Sequence, residues 1–124
     1  MSVRKERLAA IGPVVAYMAL IFGLSSLPSP PHFVDALPFQ DRGAHFLEYG
    51  VLGLLTARAA FRLLPDRPAI RLVLFALIVS VGFAITDELH QTLVPGRTGD
   101  VIDLLADALG ATAGAVAFAV LRRR

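Results

Sequence analysis

The chain has no cysteine, which excludes disulfides and thiolate metal ligands and leaves the redox compartment open. It has no internal repeat, no linker and no shift in composition, so a single unit over residues 1–124 is expected. No continuous basic surface with interleaved readers is present, which argues against a nucleic-acid partner. No serine nucleophile with a partnered histidine is evident. No small-x-small cleavage site follows the first apolar run, and that run, about twenty residues, exceeds the ~7–15 of a signal peptide, so a retained helix is expected. The largest deficit is polar covering. With 56% hydrophobic residues, the chain has too few polar helices or strands to wrap its apolar segments in water, and the bilayer is the simpler solvent.

What is present is four apolar stretches, about residues 8–27, 44–63, 70–91 and 101–121. Each is near the ~20 residues that cross a ~30 Å hydrocarbon core. The expected fold is all-α: a compact bundle of four transmembrane helices. Basic residues set its orientation, because Lys and Arg flanking spans stay cytoplasmic. Arg4, Lys5 and Arg7 precede the first span, Arg58, Arg62, Arg67 and Arg71 surround the second connection, and Arg122, Arg123 and Arg124 follow the last span. These ten of the twelve basic residues place both termini in the cytoplasm. Arg42 and Arg97 fall in the other two connections, and eight of the ten carboxylates and all three histidines, His32, His45 and His90, lie at or near that same side of the spans. Ten basic residues against Glu6 and Asp66 give +8 inside, and two against eight acids give −6 outside.

The connections are marked by proline. Residues 28–41 hold four prolines without helical periodicity and read as an extended outer loop. Pro65 and Pro68 make a short inner turn, and Pro95-Gly96 closes the third helix before the fourth.

Polar residues collect at the outer ends of the spans. Asp41, His45, Glu48, Tyr49 and Leu52 recur at helical spacing on one face of the second. Asp41 suits an N-cap, Tyr49 an interfacial anchor, and His45 a headgroup contact. Glu48 lies about one turn inside and requires a partner or a proton. The third span is free of charge from Leu72 to Thr86 and then reads Asp87-Glu88-Leu89-His90-Gln91. Asp87 and Gln91 share a face, flanked by Glu88 and His90, at a helix C-terminus whose dipole disfavours anions unless a proton, cation or metal compensates. In the fourth span Asp100 suits the N-cap, and Asp103, Asp107, Gly110 and Gly114 fall within about 60° of arc. The Gly110 and Gly114 pair permits close helix approach, which turns the carboxylates into the bundle.

Asp41-Arg42-x-x-His45-Phe46-x-x-Tyr49, Asp87-Glu88-x-x-Gln91, Pro95-Gly96-Arg97, Asp103 and Gly110, with Ser25-Ser26-Leu27-Pro28 ending the first span, together resemble the VanZ-like membrane protein family over about residues 11–114. Arg42 stands where that family often has lysine, and Asp107 where it often has asparagine. The resemblance implies a bacterial multi-pass membrane protein, and the founding member is associated with low-level resistance to the glycopeptide teicoplanin.

Three functions follow as expectations. The first is a cell-membrane protein whose extracytoplasmic polar site binds or modifies a membrane lipid, a lipid-linked envelope precursor or a glycopeptide. Its ligand contacts would be Arg42, His45, Tyr49, Gln91, Arg97, Asp103 and Asp107. The second is an acid/base or metal-dependent enzyme, with Asp87, Glu88, His45 and Glu48 as catalytic candidates and His45, Glu48, Glu88 and His90 as candidate ligands of a divalent metal. The third is a small proton-coupled transporter, although such sites usually sit near mid-membrane. Arg97, among so many acids, is expected to pair with Asp87, Glu88, Asp100 or Asp103.

Overall fold

The computed structural model describes residues 2–123. Four long helices follow in order, α1 (Val3–Ser25), α2 (Asp41–Leu63), α3 (Ala69–Gln91) and α4 (Val101–Leu121), with a 3-10 turn at His32–Ala36 between α1 and α2. No strand occurs among the described residues.

Helix ends follow capping chemistry more closely than hydropathy. Ser2 is extended and its side chain accepts from the Lys5 amide at 3.4 Å, so α1 begins at Val3 rather than near residue 8 and takes in Arg4, Lys5 and Arg7, all good helix formers. At its other end the Ser26 hydroxyl donates to the Phe22 carbonyl at 2.8 Å, stopping the helix just before Leu27 and Pro28. Pro13 lies inside α1. Lacking an N–H, it leaves the Ala9 carbonyl without its i+4 donor, and the Arg58 guanidinium of α2 donates to that carbonyl at 3.4 Å.

The loop expected to be extended instead folds into the 3-10 turn, which buries Val34. Phe39 and Gln40 then take φ of 58° and 50°, a left-handed conformation that strains non-glycine residues. This sharp reversal starts α2 at Asp41, three residues before the expected boundary. Asp41 therefore sits in the first turn and is not the cap. That position belongs to Gln40, whose side chain makes no capping bond. Asp100, by contrast, caps α4 through the Ile102 amide at 2.9 Å. Pro95-Gly96 forms a tight turn with Gly96 at φ 86° and Arg97 N donating to the Val94 carbonyl at 3.1 Å, the glycine position that a type II turn requires.

The packing is inverted relative to a water-soluble protein. Buried positions are mostly small: Ala10, Ala57, Ala60, Ala76, Ala84, Ala111 and Ala115. Large aliphatics such as Ile78, Leu20 and Leu109 lie exposed on the outside, a surface that lipid matches and water penalises. Three helices, α1, α3 and α4, are long and apolar enough to cross a membrane. α2, at 23 residues, is as long as α1 and α3, but carries Asp41, Arg42, Glu48, Arg58 and Arg62 and falls short on composition. It packs against all three others, and its His45, Tyr49 and Thr56 are buried in the bundle.

α2 and α4 run parallel in close contact. A Cβ on Gly110 would collide with the Phe46 backbone, one on Gly114 with Gly50, and one on Gly53 with Ala111. Because the backbones approach this closely, short aspartate side chains on α4 reach the ring of His45 on α2. The glycines thus set the spacing of the polar end.

Candidate functional site

The C-terminal ends of α1 and α3 and the N-terminal ends of α2 and α4 meet at one end of the bundle, and the polar residues concentrate there. His45 is central. Its Nδ1 donates to Asp107 Oδ1 at 2.7 Å, and both groups are buried. Its Nε2 points to Asp103 Oδ2 and Asp41 Oδ2, each at 3.7 Å. Asp107, the acid standing where the resemblance leads one to expect asparagine, is therefore the residue that orients the imidazole.

A second group forms between α1 and α3. The Ser25 hydroxyl donates to Asp87 Oδ2 at 2.7 Å and accepts from Gln91 Nε2 at 3.3 Å. Asp87 and Gln91, one turn apart, grip the same hydroxyl. Asp87 Oδ1 and the Tyr49 hydroxyl are buried without a hydrogen-bond partner, so Tyr49 is a core residue with a polar tip inside the bundle rather than an interfacial anchor. Nearby, Ser26 Oγ lies 2.9 Å from His90 Nε2, whose ring stacks on Phe22 with centroids 4.2 Å apart.

Three candidates are engaged otherwise than expected. Glu88 Oε1 accepts from the Asp100 amide, tying the end of α3 to the start of α4. Arg97 makes no ion pair among the described residues. Its Nε and Nη2 donate instead to the carbonyls of Leu27 at 2.8 Å and Leu24 at 3.3 Å. The Leu27 carbonyl lies just past the end of α1, where the helix supplies no donor, whereas the Leu24 carbonyl also accepts from the Leu27 amide at 3.2 Å. Arg42, half exposed, has Asp100 as its ion partner at 3.8 Å.

The candidate metal ligands do not all converge. His45 meets Asp41 and Asp103, with donor atoms all within 4.8 Å of one another. Glu88 and His90 are held by Asp100 and Ser26, outside that group. Sequence reasoning did not single out Ser25 and Ser26 as site residues, although a serine pair ending a long apolar helix is the signal that could have found them.

Two adjoining clefts open onto this end. One, of about 310 Å³, lies between the α1 end, the 3-10 turn and α2, with an apolar side of Leu24, Leu47 and Val51 and a polar side that includes Ser25, His45, Glu48 and Gln91. Leu47 and Val51 are among the exposed hydrophobics, so the apolar side is continuous with the outer surface of the bundle. The other, about 440 Å³, is lined by Arg42, Arg97, Thr98, Asp100 and Asp103. Asp41, Gln91 and Arg97 border both.

The arrangement is that of a helical membrane bundle with a buried polar network at one end. The VanZ/LLP1 family model matches residues 14–122, nearly the whole chain, and the chain belongs to that family. No curated protein and no solved structure matches it.

Proposed function

We propose that the chain forms one four-span unit of the bacterial cell membrane, with α2 as the fourth span, both termini cytoplasmic and the polar end facing outward. At that end it binds, or modifies, the headgroup of an envelope amphiphile such as a lipid-linked precursor. The observation that carries this reading is the smaller cleft. Its polar side would take a headgroup, while Leu47 and Val51 lead the tail sideways into lipid. Arg42, Arg97 and the N-termini of α2 and α4 supply positive charge for an anionic group. Ser25 and Gln91 form part of the inner wall, and Asp87 behind them holds the Ser25 hydroxyl in place. Protection against a glycopeptide of the teicoplanin type, which the family name suggests, would follow from occupying or altering such a precursor.

The test compares cells expressing the parent, Asp87→Asn and Val51→Trp at equal membrane abundance. Glycopeptide susceptibility and crosslinking to a photoactivatable polyprenyl phosphate are read in parallel. Both variants are expected to lower crosslinking at least fivefold and to restore susceptibility, whereas Ile78→Trp, on an exposed face, leaves both unchanged. Parent-level crosslinking and protection in Asp87→Asn and Val51→Trp would sink the proposal.

A further inference from the structure

We propose that Asp41, His45 and Asp103 form a binding site for one divalent cation that prefers mixed nitrogen and oxygen ligands, zinc being the best match. The site is independent of the amphiphile reading, since it is defined by donor geometry alone. His45 Nε2 stands 3.7 Å from Asp41 Oδ2 and 3.7 Å from Asp103 Oδ2, and all three atoms lie within 4.8 Å of one another. Ligand bonds of about 2.0–2.2 Å in a tetrahedral site put donor atoms about 3.4 Å apart. A contraction of about 0.3 Å in each histidine–carboxylate distance, with the two carboxylates closing from their separation of within 4.8 Å, brings the three onto one ion.

Two further observations point to a ligand. The Asp103 side chain is 9% exposed, and its carboxylate accepts no hydrogen bond among the described residues while Oδ2 faces the centre of the group. That carboxylate also lines the larger cleft, so an ion can reach it. The His45 side chain is 6% exposed, and among the described residues its Nε2 has no hydrogen-bond partner, only the two carboxylates at 3.7 Å. With Nδ1–H given to Asp107 at 2.7 Å, the neutral ring presents the Nε2 lone pair to the same centre. A carboxylate behind a histidine is the arrangement that fixes the tautomer of a metal-bound imidazole and raises its basicity. Asp107 is a positioning residue here, not a ligand. Asp41, at 45% side-chain exposure, forms the outer lip, so the fourth coordination position opens toward the larger cleft and Arg42. One imidazole and two carboxylates suit zinc or manganese better than copper or soft-ligand metals.

The full-length protein, purified in detergent and stripped with chelator, is dialysed against zinc, and bound metal is counted by mass spectrometry. Cobalt(II) is added separately as an optical probe. One equivalent of zinc and an intense visible cobalt spectrum are expected for the parent. Asp103→Asn and Asp41→Asn should each weaken zinc binding at least tenfold, and Asp107→Asn about 10- to 100-fold. Asp66→Asn, remote from the site, should retain the parent's affinity. The parent measurements need no variant, so misfolding of Asp103→Asn leaves the proposal testable. A parent that retains no zinc and shows only the aqua-cobalt spectrum overturns it. In that case Nε2 carries a proton and the group is an ion cluster around an imidazolium. Undiminished binding in both Asp103→Asn and Asp41→Asn overturns it equally.

Discussion

At the scale of single residues, unsatisfied backbone groups decide where the arginines go. Arg58 answers the carbonyl that Pro13 orphans, and Arg97 answers the Leu27 carbonyl just past the end of α1 and shares the Leu24 carbonyl with the Leu27 amide. Neither partner could be read from charge patterning, which is why Arg97 was expected among the acids. The Asp87 and Gln91 pairing was legible, because one helical turn separates them and periodicity alone puts them on a shared face. Their common partner Ser25 lies more than sixty positions away in sequence, beyond the reach of any local pattern. The Pro13 and Arg58 relationship yields a coupling prediction. Arg58→Ala should destabilise the parent by about 1 kcal/mol, the scale of one hydrogen bond with its half-buried acceptor left open. In a Pro13→Ala background, residue 13 regains its amide and serves Ala9 itself, so Arg58→Ala should cost clearly less. A double-mutant cycle of chemical denaturation in detergent micelles measures this. Equal costs in both backgrounds would show that Arg58 acts through its other surroundings.

At the scale of elements, α3 and α4 were legible nearly to the residue because Pro68 and Asp100 mark their starts in the sequence. α1 and α2 were legible in existence but not in extent. Hydropathy ends where charge begins, whereas helices continue through Arg, Lys and Glu until a cap or a forced φ intervenes. The 3-10 turn escaped because four prolines dominate the reading of its loop. The α2 and α4 interface supplies a prediction in which similar substitutions have opposite signs. Gly110→Ala and Gly114→Ala place a methyl group against the Phe46 and Gly50 backbones. Each should lower thermal stability through overpacking of about 1–3 kcal/mol. Gly82→Ala in α3, where an added Cβ meets nothing within 4 Å, should be neutral or stabilising by up to ~1 kcal/mol, since alanine is the better helix former. Thermal melts by circular dichroism compare the three. Gly110→Ala as stable as the parent would remove the close approach from the explanation of how Asp103 and Asp107 reach His45.

At the scale of the whole molecule, the bundle's inverted surface, with small residues inside and large aliphatics outside, places α1, α3 and α4 in lipid by length and composition. α2 carries Asp41, Arg42, Glu48, Arg58 and Arg62 and falls short of the other three in apolar composition, so its crossing is a prediction to test. If α2 crosses, the loop around Phe39 and the turn around Asp66 stand on opposite sides of the membrane. If α2 lies on one side, they stand together. Phe39, Thr98, Glu6 and Asp66 are all exposed, and the absence of native cysteine lets each be replaced singly by cysteine against a silent background. With nine of the eleven described basic residues at one end, that end is predicted to be cytoplasmic. In whole cells a membrane-impermeant maleimide should therefore label Phe39→Cys and Thr98→Cys, and should label Glu6→Cys and Asp66→Cys only after permeabilisation. Labelling of Phe39→Cys and Asp66→Cys from the same side would reduce the spans to three. Labelling of Glu6→Cys and Asp66→Cys in intact cells would invert the bundle, turn the polar end toward the cytoplasm, and remove extracellular ligands from consideration for it.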